Sequence, residues 1–171
     1  PFEGYYNVLA YVQNEIKIED GVKILDIGIG TGLLTQELYK KGARIYGIDF
    51  SKKMLEIAKK KMPEGIFYCY DFKFGLPQEL ENEKFDYIVS SYAIHHITDV
   101  EKIDLIMKLK NKIKKEGKIV ISDVAFENRK QLKKCKLDAG ELWDDDEYYI
   151  IFKDFKEDLD RLNVEVKYTQ I

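Results

Sequence analysis

The feature that most constrains this chain is a strand, glycine turn and helix start near its N-terminal end. Residues 24–35 read Ile-Leu-Asp-Ile-Gly-Ile-Gly-Thr-Gly-Leu-Leu-Thr. The apolar stretch at residues 22–27 is typical of a parallel strand covered on both faces, and from Leu33 to Gly42 the apolar spacing is helical. Glycines at such a turn let backbone approach a ligand where a Cβ would collide. The run predicts a doubly wound α/β fold with a ligand site at the end of its first strand.

The spacing of the glycines narrows the kind of ligand. A dinucleotide-binding turn has the pattern Gly-x-Gly-x-x-Gly, in which the third glycine lets the helix pack beneath a pyrophosphate. This chain instead has Gly28, Gly30 and Gly32 at alternate positions. A second predicted strand, residues 43–48, is followed by Asp49, whose carboxylate can accept hydrogen bonds from both hydroxyls of a ribose. The pattern favours a nucleoside ligand without a pyrophosphate and weakens the alternative of a dehydrogenase.

The ordered motifs resemble those of the class I S-adenosylmethionine-dependent methyltransferases. That family carries Asp-x-Gly-x-Gly-x-Gly after strand one, here from Asp26 to Gly32, and an acid at the end of strand two, here Asp49. The remaining matches, in order, are Asp71-Phe72 after a strand at residues 66–70, a strand at 85–90 and a strand at 117–123. The resemblance covers about residues 22–125. Residues 91–96, Ser-Tyr-Ala-Ile-His-His, look like the motif that follows strand four in small-molecule and uncharacterised members.

The resemblance implies a mostly parallel sheet with helices on both faces. The family usually has seven strands in the order 3-2-1-4-5-7-6, but only six are legible here, the last at residues 164–169. We therefore expect residues 1–171 to form a single domain, truncated at both ends, with the seventh strand missing. An N-terminal aromatic segment that covers the cofactor in relatives is also expected to be missing. The incomplete sheet makes self-association an expected property, because unpaired strand edges bind other strands.

The same resemblance implies S-adenosylmethionine as the cofactor and S-adenosylhomocysteine as the product. Asp49 is expected to hold the ribose, Asp71 the adenine amino group, and Phe50 and Met54 the adenine faces, with the methionyl end at the glycine turn. The full set of implied cofactor-binding residues is Asp26, Gly28, Gly30, Asp49, Phe50, Met54, Asp71, Phe72 and Ser90. Simpler interpretations stay open for each of these residues. The turn alone can require the glycines, Asp26 and Asp71 can stabilise turns, and the apolar side chains can belong to the core.

Two histidines lie beyond the fourth strand, where open α/β sheets present ligands. His95 and His96 are the candidate catalytic residues, because imidazole titrates near neutral pH and can act as a general base towards a hydroxyl, thiol or acidic carbon. Tyr92 is a further candidate for facing the transferred methyl group. The alternative is a structural or substrate-lining role. No metal site is predicted: some members of the family hold a divalent ion with carboxylates, and Asp99 and Asp123 resemble such a pair, but they lack compact ligand spacing.

Composition limits the remaining classes of function. The net charge is −3 and the pI about 5.6, so no general basic field is available for nucleic acid. Lysines cluster at residues 59–61 and 108–115, but both clusters lie on predicted helices, where charged residues normally form the solvent-exposed face. Cys69 and Cys135 form no ligand or disulfide pattern, which favours a reducing compartment. With no bilayer-spanning run and no signal peptide, a soluble cytoplasmic protein is expected.

Several helices are also predicted. One covers residues 3–17, one is capped by Ser51 and ends near Met62, and one has a Thr98–Glu101 capping box. The buried face predicted for the last of these consists of Val100, Ile103, Ile106, Met107 and Ile113. Another helix carries Phe152, Phe155, Leu159 and Leu162 on one face. The acidic segment 141–147, with Trp143, is interpreted as a solvated loop, with selection of a cationic acceptor as the alternative.

The sequence therefore predicts an S-adenosylmethionine-dependent methyltransferase that acts on a small molecule. Two alternatives remain: an RNA- or protein-modifying methyltransferase, which would need an exposed basic or aromatic face, and a non-catalytic S-adenosylmethionine-binding domain.

Overall fold

A computed structural model describes residues 4–171, so the predicted helix at 3–17 begins outside the described residues. The strands are β1 (Lys23–Ile27), β2 (Arg44–Asp49), β3 (Ile66–Cys69), β4 (Phe85–Ser91), β5 (Ile113–Ser122), β6 (Ala125–Phe126) and β7 (Ile150–Ile151). The α-helices are α1 (Tyr5–Asn14), α2 (Thr35–Lys40), α3 (Lys52–Lys61), α4 (Asp99–Lys110), α5 (Arg129–Ala139) and α6 (Phe152–Arg161). Short 3₁₀ turns cover Phe72–Phe74, Gln78–Leu80, Ile94–His96 and Gly140–Leu142.

The main sheet has five parallel strands in the order β3-β2-β1-β4-β5. β1 lies at the centre, with Asp26 opposite Gly47 of β2 on one side and Val89 of β4 on the other. The direction in which the strand order is built reverses between β1 and β4, which is where doubly wound folds bind their ligands. The predicted fold class is confirmed, and this order places the carboxyl ends of β1, β2 and β4 side by side.

Helices cover both faces of this sheet because its strands are apolar on both sides. One core layer joins Leu25 and Ile27 of β1 to side chains of α4 and α6. The other joins Ile24 of β1 and Val89 of β4 to side chains of α1, α2 and α3. This two-sided burial explains the nearly continuous apolar sequence of β1.

Two predicted helix starts are confirmed by their capping bonds. The Ser51 hydroxyl accepts a hydrogen bond from the Met54 N–H, and Thr98 and Glu101 form a complete capping box. The predicted buried face of α4 is confirmed at Ile106, and Ile103 packs against the core, but it is wrong at Val100, which is 80% exposed. The buried residues of α4 are Lys102, Leu105, Ile106 and Leu109. Lys102 lies on the buried side because its ammonium group is hydrogen-bonded inside the structure. A charged residue at that position hid the periodicity of the buried face.

The lysine-rich stretch 108–115 crosses from α4 into β5, which begins at Ile113, so the prediction that it lies on one helix is wrong. β5 is longer than the predicted strand at residues 117–123, and its register with β4 is irregular between Phe85 and Tyr87. That irregularity separates a charged, exposed beginning of β5 from its apolar part. The sequence pattern therefore showed only the second part.

The C-terminal segment differs from the predicted sixth strand. Residues 164–169 make no strand pairing, although Val164 and Val166 pack against the core and Tyr168 stacks on Phe152, with ring centroids 4.3 Å apart. The alternating apolar residues therefore reflect packing of an extended segment. A short parallel pair, β6 with β7, was not predicted. Within the described residues, β5 and β3 are the two outer strands of the main sheet.

Two further properties follow from the described residues. None of their helices combines the length and apolar character needed to cross a bilayer. Cys69 and Cys135 are both free thiols, and both are exposed.

Candidate active site

The glycine turn after β1 adopts a backbone that only glycine accepts easily. Gly28, Gly30 and Gly32 have φ angles of 71°, 54° and 74°. A Cβ on Gly28 would lie 2.4 Å from the Cβ of Ala93, so the turn packs directly on the loop that follows β4. A Cβ on Gly30 would meet no atom within 4 Å. Gly28 is therefore required by packing, whereas Gly30 presents backbone to open space at the sheet edge.

Asp49, at the end of β2, is bonded to this turn. Its Oδ2 accepts a hydrogen bond of 2.8 Å from the Gly30 N–H, and its Oδ1 accepts one of 2.8 Å from the Ser51 N–H. A carboxylate offers about four acceptor positions, so two remain for a ligand. Gly30 and Asp49 are 19 residues apart in the sequence, but their hydrogen bond joins the glycine turn to the end of β2.

Asp26, at the end of β1, is a buried carboxyl group. Its Oδ2 accepts a hydrogen bond of 3.1 Å from the Thr35 hydroxyl. Burial raises the pKa of Asp26 to about 8, the Thr35 hydrogen bond opposes that rise, and the nearby negative charge of Asp49 adds to it. Such a carboxyl group ionises readily only when a cation lies beside it.

The other predicted cofactor-binding residues are placed as follows. The Asp71 Oδ1 accepts a hydrogen bond of 2.9 Å from the Lys73 N–H and caps the 3₁₀ turn at Phe72–Phe74. The buried Phe72 ring lies 3.5 Å from where a Cβ on Gly28 would be, which brings this loop to the glycine turn. Phe50 and Met54 are exposed at the start of α3.

Ser90 is tied to the sheet itself. It is buried, and its hydroxyl donates a hydrogen bond of 2.8 Å to the Ile27 carbonyl, which joins the ends of β4 and β1. Ser90 thus fixes the Ile27 carbonyl, which immediately precedes the glycine turn.

Tyr92 begins the loop after β4 in a strained conformation. Its φ angle is 51°, in the left-handed region that non-glycine residues rarely adopt. Its N–H donates to the Ser122 carbonyl at 2.8 Å, which fixes this backbone turn. The ring of Tyr5, from α1, stacks on the Tyr92 ring with centroids 5.0 Å apart. An aromatic side chain from the first helix therefore contacts the loop after β4.

His95 is held by an acid at the end of β5. Its Nδ1 lies 2.6 Å from the Asp123 Oδ1, and its backbone N–H donates to the Asp123 Oδ2 at 3.2 Å. Burial alone lowers the pKa of His95, but the Asp123 hydrogen bond and the charges of Asp123 and Glu147 outweigh it, so the pKa is raised overall. A carboxylate only accepts hydrogen bonds, so Nδ1 is the donor and Nε2 faces away from Asp123.

Glu147 and His96 complete this side of the site. The His95 Nε2 lies 3.6 Å from the Glu147 Oε1, and the centroids of the two imidazole rings are 4.1 Å apart. Glu147 belongs to the acidic segment that the sequence predicted to be a solvated loop. Most of that segment is exposed, as predicted, but Glu147 is half-buried against His95.

A buried lysine positions the chain around Glu147. The Lys102 Nζ donates to the Tyr148 carbonyl at 2.5 Å and to the Asp99 Oδ1 at 2.9 Å. The Tyr148 N–H in turn donates to the His95 carbonyl at 2.7 Å. Asp99 and Asp123, considered together as metal ligands from the sequence, thus have different partners.

The structure brings the predicted residues together in two groups. Asp26, Gly28, Gly30 and Asp49 surround the turn after β1, while His95 and His96 lie on the loop that packs against it. Sequence reasoning missed the roles of Tyr5, Lys102 and Glu147. No local pattern marks them, because their contacts join parts of the chain that are far apart in sequence.

Comparison with known proteins agrees with this geometry. The crystal structure of magnesium protoporphyrin IX methyltransferase from Synechocystis PCC 6803 with bound SAH superposes with a TM-score of 0.67 at 20% identity, covering 98% of this chain and 74% of that one. The fold is therefore that of the class I S-adenosylmethionine-dependent methyltransferases. A family model described as a methyltransferase domain matches residues 18–161. The chain belongs to this methyltransferase domain family.

Curated relatives carry the same description. An uncharacterized methyltransferase of Anoxybacillus flavithermus is 43% identical over 129 residues, covering 75% of this chain and 57% of the relative. Another, from Oceanobacillus iheyensis, is 34% identical over 178 residues, covering 99% of this chain and 80% of the relative. The matches to the first three relatives span 47 to 63% of those proteins' length.

Proposed function

We propose that this chain binds S-adenosylmethionine and transfers its methyl group to a small-molecule acceptor. The observation that carries the proposal is the bond between the Asp49 carboxylate and the Gly30 N–H, because it joins the acid after β2 to the glycine turn after β1. A nucleoside laid across that turn meets a ribose acceptor and open backbone together. Membership of the methyltransferase family supports the same cofactor.

The cofactor is proposed to lie along the carboxyl ends of β1, β2 and β3. Asp49 would accept the ribose hydroxyls through its two remaining acceptor positions. Asp71 would accept from the adenine amino group, with Phe50, Met54 and Phe72 against the ring. These placements follow the order of the strands, since β3 lies beyond β2 and the adenine lies beyond the ribose.

The methionyl end is proposed to lie over Gly28 and Gly30, beside Asp26. The buried Asp26 carboxyl group, with its raised pKa, is stabilised in its ionised form by a nearby cation. S-adenosylmethionine offers two, the α-ammonium group and the sulfonium. Ser90 contributes indirectly by fixing the Ile27 carbonyl beneath the turn.

The acceptor is proposed to lie against His95, His96 and Tyr92. When bound, S-adenosylmethionine supplies a methyl group that its sulfonium already activates. The residues of the chain must then hold a nucleophile in line with the sulfur–methyl bond and exclude water. The Tyr5 ring stacked on Tyr92 covers this side, and Asp123 fixes the orientation of the His95 ring.

A small molecule is favoured over RNA or protein as the acceptor. The chain carries a net charge of −3, and Glu147 adds negative charge beside His95. A phosphate backbone would be repelled from such a surface. A neutral or cationic metabolite would not.

The test begins with calorimetry of S-adenosylmethionine and S-adenosylhomocysteine binding to the chain. A pool of metabolites is then incubated with the protein and methyl-labelled S-adenosylmethionine, and labelled products are identified. Saturable binding with a labelled small molecule supports the proposal. Binding without any labelled product would favour a non-catalytic binding domain, label on RNA or protein would favour the modifying enzyme, and binding of NAD instead would reject the cofactor assignment.

A further inference from the structure

Three side chains with metal-ligating atoms meet where the loop after β4 contacts the acidic segment 141–147. One nitrogen each from His95 and His96 and one oxygen from Glu147 lie within 4.8 Å of one another. We propose that these three residues bind a divalent transition-metal ion of the zinc class. Binding of the metal is independent of the proposed methyl transfer, whereas its use in catalysis rests on that function.

The orientation of His95 suits a metal ligand. Asp123, whose side chain is 1% exposed, holds Nδ1 at 2.6 Å, so the other ring nitrogen, Nε2, is directed at Glu147. Histidines that bind metals in proteins usually donate their second ring N–H to a carboxylate in this way, which fixes the tautomer and the ring orientation. This buried contact is a second, independent feature that points to a metal.

The distance between the His95 and Glu147 ligand atoms also fits. The His95 Nε2 and the Glu147 Oε1 are 3.6 Å apart, which is too far for a good hydrogen bond. Two ligands on a tetrahedral zinc ion, each bonded at about 2.0–2.2 Å, lie roughly 3.3–3.5 Å apart. The observed separation thus needs only a small adjustment to receive an ion.

Glu147 is held in place from two sides. The Tyr148 N–H is bonded to the His95 carbonyl, and the Tyr148 carbonyl is bonded to the buried Lys102. A ligand fixed by its neighbours loses little conformational freedom when the ion binds.

An ordinary ion pair between His95 and Glu147 would account for only part of this arrangement. It assigns no role to His96, whose ring lies 4.1 Å from that of His95. Two imidazoles and one carboxylate are the ligand set of several catalytic zinc sites, in which one position stays open for a substrate or water. Mg²⁺ and Ca²⁺ prefer oxygen ligands and fit this set poorly.

The open position gives the ion a use in the proposed reaction. An acceptor oxygen, nitrogen or sulfur bound there loses its proton to solvent more easily, because the ion lowers its pKa. Its lone pair then forms the bond to the methyl carbon of S-adenosylmethionine. The bond between sulfur and that carbon breaks, and its electron pair stays on sulfur as S-adenosylhomocysteine leaves.

The test is calorimetric titration of the metal-free chain with Zn²⁺ alone, without cofactor or acceptor. We expect one ion per chain with micromolar or tighter affinity, and no saturable binding of Mg²⁺. Glu147→Gln and His96→Gln should each weaken binding at least tenfold, and Asp123→Asn by 10- to 100-fold. Glu141→Gln, in the same acidic segment but exposed, should bind like the parent.

Two controls keep the result specific. Circular dichroism melts show whether each variant folds. If Glu147→Gln does not fold, His96→Gln still tests the site, because His96 is exposed. A Cys69→Ser, Cys135→Ser double variant removes the exposed thiols, which also bind zinc. Absence of saturable Zn²⁺ binding, unchanged binding by both ligand variants, or binding lost with the cysteines would each overturn the metal site. Because S-adenosylmethionine binding is measured separately, failure of the metal site is distinguishable from failure of the proposed function.

Discussion

The Asp49 carboxylate and the Gly30 N–H are joined by a hydrogen bond of 2.8 Å across the ends of two adjacent strands. With the Ser51 N–H on its other oxygen, Asp49 fixes the backbone of the turn and the start of α3 together. The same carboxylate that shapes the turn is therefore the one proposed to bind the ribose. Loss of the Asp49 side chain should therefore weaken both the turn and the proposed binding of the ribose.

We predict that Asp49→Ala weakens S-adenosylmethionine binding by 10- to 100-fold. Loss of hydrogen bonds to a charged group costs about 1.5–3 kcal/mol, and the turn also loses its own bonds. Calorimetry on the parent and the variant measures this directly. Glu56→Ala, an exposed acid on α3, is the matched control and should leave the affinity unchanged. An Asp49→Ala protein that binds as tightly as the parent would contradict the ribose assignment.

Asp26 predicts how stability depends on pH. Its pKa is about 8 in the folded chain, whereas an unfolded aspartate titrates near 3.9. Between these values the folded state binds more protons than the unfolded state, so the free energy of unfolding falls as pH rises from about 4 to 8. At roughly 1.4 kcal/mol per pKa unit, the difference of about four pKa units corresponds to a loss of roughly 5–6 kcal/mol.

Asp26→Asn tests this dependence, because asparagine keeps an acceptor for the Thr35 hydroxyl but cannot ionise. Denaturant unfolding at pH 5 and pH 8 should show that the variant loses less stability than the parent over this interval. Equal losses would mean that Asp26 does not titrate in this range. The variant should also bind S-adenosylmethionine more weakly, since it offers no negative charge to the methionyl end.

The two histidines are predicted to affect transfer and not cofactor binding. Once the acceptor is identified, His95→Gln and His96→Gln should each lower the rate of methyl transfer, by about 100-fold where the ring acts on the reacting proton. Calorimetry should give parental affinity for S-adenosylmethionine. If both variants keep the parental rate, catalysis rests on positioning by other residues.

Lys102 is predicted to stabilise the fold from within. It is 1% exposed, and Lys102→Met would leave the Tyr148 carbonyl without its ammonium partner. We expect a loss of about 1–3 kcal/mol in the free energy of unfolding. Lys108→Met removes an exposed i,i+4 ion pair of the same helix and should cost at most about 0.5 kcal/mol. Equal effects of the two substitutions would show that Lys102 has no special role.

The outer edge of β5 is predicted to promote self-association. Among the described residues no strand pairs with this edge, and the apolar side chains in the second part of β5 are half-buried. Light scattering over a range of concentrations should detect association of the 171-residue chain. The exposed Leu137 and Leu142 offer another apolar surface, so a Leu137→Lys, Leu142→Lys variant serves as the control. Association that disappears in this variant, or a monomer at all concentrations, would contradict the role of the edge.

Local chemistry made much of the fold predictable from the sequence. The apolar run of β1, the alternate glycines and the helix caps at Ser51 and Thr98 each act within a few residues. Their order along the chain predicted the parallel sheet, and with it the meeting of Asp26 and Asp49 at one edge. The burial of Lys102 was not predicted, and residues 164–169 were predicted to be a strand but are an extended segment without strand pairing. The same apolar spacing fits more than one packing arrangement.

By itself, then, the sequence determined the fold class, the glycine turn and the acids beside it, since strand and turn propensities are local. Only the tertiary structure decided that Tyr5 covers Tyr92, that Asp123 orients His95, and that Glu147 faces the two histidines. These contacts join residues that are distant along the chain. They depend on how the strands and loops pack, which no local sequence pattern records.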